Sequence, residues 1–437
     1  MSFNRQIEYQ LHPLRETLYN ELHIRPFPKV ETPQLITHLV ACCAERDLLK
    51  RAFDQLCDLC RRYGVNLPQD DTAFFQQDFG DFSIHWERHV EFYSLTIMTA
   101  VINDGEPFEH AAVDLLPADW LRALPGQMVG AFHLIIDDHR LDYSSAALTR
   151  CFEAQPLMAG NVANQRAQVY TAFKIHGDNH GRFVIRNQGL NTSQMGQLAR
   201  RTMDLETYRL LALLSLPLAK RIAPQLLDMD RKLAEMLNRI KELESSRGER
   251  ELLEKLTQVE ARLETYRAET NHRFSATRAY HQMVKDRLEG IKEESIEGAL
   301  SLGEFISRRL DPALRTCDSM QTWMEDLSKR IERASDLMRT RVNLNLQEQN
   351  RSQLTAMNRR SRLQFRLQET VEGLSIAAIS YYAVGLLSYL FGGLPLKNWG
   401  IDKNVLLASS IPVVVIVIWY VTHRIKHRLI KDQDVCE

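Results

Sequence analysis

Two long runs without a charged residue constrain this fold most. The first covers 373–396 and the second covers 405–422. As helices they would be about 36 Å and about 27 Å long, enough to cross the hydrocarbon core of a bilayer. A buried hairpin of a soluble protein is the alternative, but core helices seldom stay uncharged on every face for this length. We therefore predict a C-terminal two-helix transmembrane hairpin with an outer loop at 397–404.

Flanking charges predict how this hairpin is oriented. The outer loop holds two lysines and one aspartate, whereas both outer flanks are rich in cations. The positive-inside rule places both flanks in the cytoplasm, including a basic tail at 423–437. The N-terminal residues are charged from Arg5 and lack an apolar stretch, so we expect no signal peptide. The sequence thus predicts an inner-membrane protein with two spans and cytoplasmic termini.

The cations beside the hairpin are also candidate lipid contacts. The segment 349–368 holds five arginines and no acidic residue. Beside a bilayer, such a cluster favours contact with anionic lipid headgroups. A solvated helix face that only sets the topology is the alternative. The candidate residues are Arg359, Arg360, Arg362, Arg366, Arg424, Lys426 and Arg428.

Helical seams fill the middle of the chain. Eleven of the 14 prolines precede residue 225, which marks a shift in composition. Antiparallel coiled-coil helices are predicted over 201–311, where 245–248 is either a turn or a stutter. The seams consist of apolar residues spaced three and four apart: Leu226, Met229, Leu233, Met236, Ile240 and Leu243; then Leu256, Val259, Leu263 and Tyr266; then Met320, Met324, Leu327, Ile331, Ala334 and Met338.

A long stalk helix is predicted over 312–372, with Asp311 as its N-cap and Pro312 in its first turn. No proline occurs from Ala313 to Phe391, so the helix is expected to continue into the membrane. Its seam becomes polar from Asn343 to Gln368. Such residues fix the register or oligomeric state of a coiled coil, line a wet pore, or face solvent. We expect a homo-oligomer.

The first 200 residues predict an α+β domain, in which helices cover one face of an antiparallel sheet. The segment 82–98 is an extended strand, long enough to bend or form a hairpin, and 128–137 is another strand. The segments 169–176 and 182–186 flank a Gly-Asp-Asn-His-Gly turn, which is typical of a hairpin. Helices are predicted over 48–63 and 117–123.

A metal or acid–base site in this domain is one hypothesis. His85, Glu87 and His89 alternate along a strand and so lie on one face, where they would suit a divalent cation. A polar strand face that meets solvent produces the same pattern. Asn20, Glu21, His23 and Arg25 form a second polar cluster, before a Pro-Phe-Pro turn. The Cys57–Cys60 pair has no suitable second pair for zinc, which favours buried thiols.

No known catalytic motif in the sequence indicates an enzyme. The sequence has no Walker A motif, dinucleotide-binding motif, H-E-x-x-H or G-x-S-x-G. The net charge of -1 argues against a nucleic-acid binder. We therefore expect no catalytic residue and no cofactor. The leading hypothesis is a non-enzymatic, membrane-anchored scaffold that binds an unidentified cytoplasmic protein; the low-ranked alternative is a tethered enzyme using the His/Glu-rich surface.

Four stretches carry a resemblance to a known family. They are HPLRETLYNELHIRPFP (12–28), HWERHVEF (85–92), FSATRAYHQMV (274–284) and MNRRSRLQFRLQETVEGLSIAAISYYAVGLL (357–387). They resemble a bacterial family of uncharacterised, predicted membrane-anchored proteins. The resemblance covers essentially the whole chain and implies the same anchored topology.

The order of elements is also similar to that of CorA-type divalent-cation channels. These channels have a cytoplasmic α/β domain, a long stalk helix that continues into the pore span, a short outer loop and a second span. Their Gly-Met-Asn signature is absent, and Tyr389-Leu390-Phe391-Gly392-Gly393 stands at the end of the first run. The resemblance implies an alternative function as a channel for a divalent cation. Ser375, Ser380 and Tyr381 would then face the pore.

Overall fold

The computed structural model describes residues 10–21, 29–43, 45–70, 72–100, 106–138, 140–240, 246–393 and 403–433. The chain forms two units. One consists of Met1–Glu242 and Glu254–Ser335, and the other of Leu243–Leu253 and Asp336–Glu437. Of 245–248, the segment predicted to be a turn or a stutter, residue 245 lies outside the described ranges, and a helix begins at Ser246.

Nine strands and nine α-helices make up the described chain. The strands are β1 (Gln34–Cys42), β2 (Phe74–Asp78), β3 (Ser83–Arg88), β4 (Phe92–Ala100), β5 (Gln127–Asp137), β6 (Met158–Val162), β7 (Ala167–Ile175), β8 (Gly181–Asn187) and β9 (Glu294–Ser295). The helices are α1 (Arg15–Glu21), α2 (Arg46–Tyr63), α3 (Ala118–Arg122), α4 (Ser145–Cys151), α5 (Thr192–Leu213), α6 (Ser215–Ile240), α7 (Ser246–Ile291), α8 (Leu302–Gly392) and α9 (Lys403–Gln433).

All nine strands form one sheet in the order β2-β3-β4-β1-β5-β8-β7-β6-β9. The prediction of an antiparallel sheet was wrong in one respect, because β5 and β8 pair in parallel and the sheet is mixed. The chain between them contains α4 and the β6–β7 hairpin, which is long enough for a crossover. The expected hairpins are confirmed: β3 pairs with β4, and β7 pairs with β8, both antiparallel.

Helices cover both faces of the sheet, so the prediction of helices on one face was wrong, and alternating strand residues fill a core on each side. On one face, Leu39, Ile84 and Leu95 pack with residues of α2 and α3, including Trp120. On the other, Ile36, Phe132 and Leu134 pack against α5. The centre of the sheet is buried on both sides, so β1 and β5 are almost continuously apolar rather than strictly alternating. The helices predicted over 48–63 and 117–123 are confirmed as α2 and α3.

Three long helices of the first unit run side by side. Thr270 and His281 of α7 contact Met324 and Asp311 of α8 respectively, so these two helices are antiparallel. Ser215 and Asp230 of α6 contact Cys317 and Arg330 of α8 respectively, so α6 is parallel to α8 and antiparallel to α7. The described residues of the first predicted seam are all buried: Leu226, Met229, Leu233, Met236 and Ile240.

The long helix α8 begins earlier than the sequence suggested. It starts at Leu302, so Pro312 lies inside the helix and Asp311 is not its N-cap. The prediction was wrong because Glu293 and Ser301 satisfy the first N–H groups instead. Pro312 is exposed, where the loss of one backbone hydrogen bond is tolerated best. As expected, the helix then continues without a break into the first uncharged run, as far as Gly392.

Three helical segments are long and apolar enough to cross a membrane, judged by length and composition: Thr192–Ile240, Leu302–Phe391 and Asn404–Ile425. Leu302–Phe391 contains residues 373–391 of the first predicted span, and Asn404–Ile425 contains the whole of the second. In Thr192–Ile240, Leu211 and Ala212 are buried with Val40 of the sheet. The apolar stretch 210–218 within this segment is too short to span a bilayer by itself.

Candidate functional site

The predicted site residues lie between the sheet and α5. His85 and Glu87 belong to β3, and His89 follows that strand. All three line a cavity of about 30 Å³, which is also lined by Arg200 and Tyr208 of α5. This volume suits a water or a single small ion. The alternation along β3 therefore does bring these side chains to one place, but on a covered face rather than a solvent-facing one.

The electrostatics of this cavity are dominated by Arg200. Its guanidinium is 2.9 Å from the Glu87 carboxylate, and His89 Nε2 is 3.9 Å from the same oxygen. The His89 ring also stacks on Phe92. Burial and, secondarily, the Arg200 charge lower the pKa of His85 to about 4. Within the described ranges, no group of three or more His, Cys, Asp and Glu is placed to hold a metal ion. A divalent cation at His85, Glu87 and His89 therefore gains no support from these positions and stays a prediction.

His38 ties the sheet to α5 beside this cavity. Its Nδ1 is 2.8 Å from Thr96 Oγ1, and its Nε2 is 3.3 Å from Thr207 Oγ1. Burial and the Arg200 charge lower its pKa to about 3. A neutral imidazole with a hydroxyl on each nitrogen is a structural connector, because both of its polar atoms are already satisfied.

The other sequence candidates contribute less. Asn20 and Glu21 end α1, but their side chains, and all of His23 and Arg25, lie outside what the structure describes. Cys57 and Cys60 are buried in α2 as free thiols. Burial raises the pKa of both, to about 11 for Cys60. Because the thiolate is the reactive form, these cysteines are inert core residues.

A second polar cluster, on the opposite face of the sheet, was missed. His133 of β5 holds Thr37 Oγ1 at 2.9 Å through Nδ1 and stacks on His180 with ring centres 4.2 Å apart. Arg182 of β8 donates to Asp178 Oδ2 at 3.0 Å and also pairs with Glu153 at 3.0 Å. The sequence contained a hint of this cluster, because the turn at His176–His180 holds two histidines and one aspartate. His133 lies next to this turn, since it pairs with Arg182 of β8.

The order of groups in this cluster, Thr37–His133–Asp178, is that of a hydroxyl–imidazole–carboxylate triad. Its geometry does not support catalysis. Thr37 is 0% exposed, and its hydroxyl oxygen accepts a hydrogen bond from the Val113 N–H. His133 Nε2 is 3.9 Å from Asp178 Oδ2, beyond hydrogen-bonding distance. Burial is the main reason why the pKa of His133 falls to about 3. The cluster joins β1, β5 and β8 as a buried polar network.

A larger cavity of about 500 Å³ lies on the same face as this second cluster. It occupies the edge of the sheet where β4 and β5 end and β1 begins. Its wall combines apolar side chains, such as Leu35 and Ile135, with the carboxylates of Glu106, Asp114 and Asp137. No pattern in the sequence connected these residues, because they come from three separate parts of the chain.

The membrane-proximal candidates belong to the second unit. Arg359, Arg360, Arg362 and Arg366 are exposed on α8, and Arg424 is exposed on α9; the side chains of Lys426 and Arg428 lie outside the described set. Of the three pore candidates, Ser375 and Tyr381 are exposed, whereas Ser380 is 6% exposed. These placements neither require nor exclude the predicted lipid and pore contacts.

Comparison with protein families gives one result for nearly the whole chain. The model described as "Protein of unknown function (DUF3422)" matches residues 10–429. The chain belongs to the DUF3422 family. The resemblance to an uncharacterised family is thereby confirmed. A search of curated proteins found no match to this DUF3422 protein.

Proposed function

We propose that this DUF3422 protein is a non-enzymatic scaffold, anchored in the bacterial inner membrane by a two-helix hairpin with both termini in the cytoplasm. One observation carries the proposal: the two uncharged runs in α8 and α9 bury almost none of their apolar side chains, and Leu386 is 72% and Ile416 63% exposed. Long apolar helices that bury almost nothing within the protein require an apolar surrounding. A bilayer supplies it, and the exposed arginines before the first run fit the cytoplasmic side.

The first unit contains the sheet and is called the α/β unit from here on. Its polar groups favour a scaffold over an enzyme. Glu87 pairs with Arg200, both His38 nitrogens contact hydroxyls, and Arg182 contacts two carboxylates. Groups engaged in this way hold secondary structure elements together, and moving them to meet a substrate would leave buried partners unsatisfied. The unit is therefore suited to present a rigid surface to an unidentified cytoplasmic protein.

Association of several copies follows from the state of α8. Every residue from 346 to 371 is exposed, including Leu354, Met357 and Phe365. A single helix gains most of its stability from packing one face, so a bare helix of this length is costly in water. We propose that copies of the chain pack along this segment as a parallel coiled coil.

A channel is the second candidate function. The same bare segment carries Gln349, Gln353 and Asn358, and Ser375 and Tyr381 are exposed within the first apolar run. If copies surround an axis, these polar side chains are available to line a path for a hydrated divalent cation. The CorA-like order of elements belongs to this candidate, and the absent Gly-Met-Asn signature weighs against magnesium selectivity.

One set of experiments separates these candidates. The full chain is purified in detergent, its mass is measured by light scattering, and it is reconstituted in liposomes loaded with a Mg²⁺- and Co²⁺-sensitive dye. The scaffold predicts an oligomer and cation entry no faster than in empty vesicles. Faster entry would replace it with the channel, and a monomer would contradict both.

Anchoring is tested separately by alkaline extraction of membranes. The double variant Leu386→Arg/Ile416→Arg puts a charge in each run, at a cost of about 2.5–3.5 kcal/mol per arginine at a span centre. We expect it to leave the membrane fraction. Leu337→Arg, at an exposed leucine of α8 outside the run, is the matched control and should stay.

A further inference from the structure

The cavity of about 500 Å³ in the α/β unit has the size of a ligand site. Thr99 and Ala100 at the end of β4, and Ile136 and Asp137 at the end of β5, form part of its wall. Both strands are antiparallel to β1, so their carboxyl ends lie at the same edge of the sheet. Small-molecule sites occupy about 300–1,000 Å³, a range that includes the volume of this cavity.

Apolar side chains supply much of the wall. They come from both the sheet and the chain that covers it: Pro33, Leu35, Pro107, Phe108, Leu115, Ile135 and Leu141. Such a wall favours a ligand with an apolar body, since contact removes apolar surface of both partners from water.

The charged groups of the wall are mostly acidic. Glu106, Asp114 and Asp137 carry carboxylates. Among the described lining residues, Arg140 is the one arginine or lysine, and its guanidinium is 3.1 Å from Asp138. The cavity thus offers an excess of negative charge beside an apolar surface. An organic cation gains from both features, whereas an anion of the same shape is repelled.

Two of these carboxylates are held in place by the fold. Asp137 is 2% exposed and accepts hydrogen bonds from the Tyr143 hydroxyl at 2.9 Å and the Leu141 N–H at 3.2 Å. Asp114 accepts the Ala111 N–H at 2.8 Å. A carboxylate that is already fixed costs little further entropy when a ligand arrives.

We propose that this cavity binds a small organic cation, an amine with an apolar body. The site lies within the α/β unit and does not depend on the proposed scaffold function. A DUF3422 protein with such a site would respond to a soluble amine while its apolar helices anchor it in the membrane.

The test uses three fluorescent probes that share one apolar group. Dansylcadaverine carries an amine, dansylamide is neutral, and dansyl-6-aminohexanoate carries a carboxylate on a similar linker. Each is titrated by equilibrium dialysis against the full chain in detergent, with protein-free micelles as the blank. We expect dansylcadaverine to bind at least about tenfold more tightly than the carboxylate probe, equivalent to about 1.4 kcal/mol.

Variants locate the binding. Ala111→Phe fills the cavity and should abolish binding of all three probes. Glu106→Gln/Asp114→Asn removes two charges while keeping hydrogen-bonding groups, and should reduce the preference for the amine to less than about threefold. Glu109→Gln, an exposed neighbour outside the wall, is the matched control and should bind as the wild type does. Equal affinity for the three probes, or an amine preference that survives the double substitution, would overturn the proposal.

Discussion

The carboxylate of Glu293 caps the long helix α8 by accepting the backbone N–H of Leu302, with Oε1 2.6 Å from the nitrogen. Its other oxygen accepts the N–H of Gly303 at 2.8 Å. Two of the four N–H groups that a helix start leaves unpaired are thus satisfied from nine residues upstream, where the helix dipole also favours a negative charge. Burial raises the pKa of Glu293, although both backbone hydrogen bonds oppose this shift.

Titration of Glu293 should be visible in the stability of the α/β unit. Because folding raises the pKa of Glu293, this residue stabilises the folded state fully at a pH below the pKa of an unfolded glutamate, about 4.3. The stabilisation is lost as the pH rises through the raised pKa of the folded state. Glu293→Gln removes this titration. The unfolding free energy of wild type minus that of Glu293→Gln should therefore fall as the pH rises above about 4.3. Urea unfolding followed by tryptophan fluorescence measures it, and a difference that is constant with pH would contradict the assignment.

Gly160 of β6 is predicted to be essential for the same cap. A methyl group at this position would overlap the Glu293 side chain, with Cγ only 2.7 Å away. Gly160→Ala must therefore displace the carboxylate from Leu302, and we expect a loss of about 1–3 kcal/mol in unfolding free energy. The control is Gly177→Ala, where the new methyl would meet Glu153 at an ordinary 3.4 Å. Equal stability of the two variants would show that the cap tolerates the displacement.

The sequence predicted the elements whose signals are local. The predicted strand at 128–137 matches β5, the Gly-Asp-Asn-His-Gly turn identified the β7–β8 hairpin, and seam spacing identified the buried residues of α6. It failed where distant residues decide. The start of α8 depends on Glu293, so the local signal of Asp311 and Pro312 was misleading. The parallel β5–β8 pair depends on a crossover, and β9 pairs with β6 across more than 130 residues of chain.

The candidate site shows the same division. Alternation correctly placed His85 and Glu87 on one face of β3. It did not predict that α5 covers this face, where Arg200 pairs with Glu87. A strand pattern cannot distinguish a solvated polar face from one paired with an arginine 113 residues away. The cavity wall was beyond reach for a similar reason, since Glu106 and Asp137 approach each other only through sheet topology.

Buried histidines should make the protein sensitive to acid. Burial lowers the pKa of His38 and His133 to about 3 and that of His85 to about 4. In the unfolded chain each titrates near about 6.5. Below that pH the unfolded state binds protons that the folded state does not, so stability should fall from about pH 6.5 towards about pH 4.

The size of this effect can be tested residue by residue. Each such histidine contributes up to about 1.4 kcal/mol per pH unit. His133→Gln keeps a polar contact for Thr37. It should lower the slope of unfolding free energy against pH by the amount that one titrating histidine contributes. His272→Gln, at an exposed histidine of α7, is the control. A slope unchanged by His133→Gln would mean that this imidazole is already charged in the folded protein.

The Glu87–Arg200 ion pair should behave as a buried pair. The two side chains are 12% and 16% exposed, so either partner left alone is a poorly solvated charge. We expect Glu87→Leu to cost about 3–5 kcal/mol, and Glu87→Leu/Arg200→Met to cost less than that single substitution. For comparison, Asp119→Ala breaks an exposed pair with Arg62 and should cost far less, because water screens that pair. Additive losses in the double variant would show that the two charges do not interact.

The arginine cluster before the first apolar run should select anionic lipid. Each cation near an anionic surface contributes about 1 kcal/mol at best, and salt screens this attraction. Replacing the four with glutamine should reduce the number of phosphatidylglycerol molecules that remain bound when the full chain is released from mixed phosphatidylglycerol–phosphatidylcholine nanodiscs into a mass spectrometer. The four residues are Arg359, Arg360, Arg362 and Arg366.

A second quadruple variant controls for net charge. It removes the same four charges from exposed positions of the same helix, far along the chain from the apolar run. These positions are Arg309, Arg315, Lys329 and Arg333. If lipid contact depends on position, phosphatidylglycerol is lost in the first variant and kept in the second, and the difference disappears at high salt. Equal retention in both would leave the arginines with the simpler role of fixing topology, because the positive-inside rule requires charge near the span but no bound lipid.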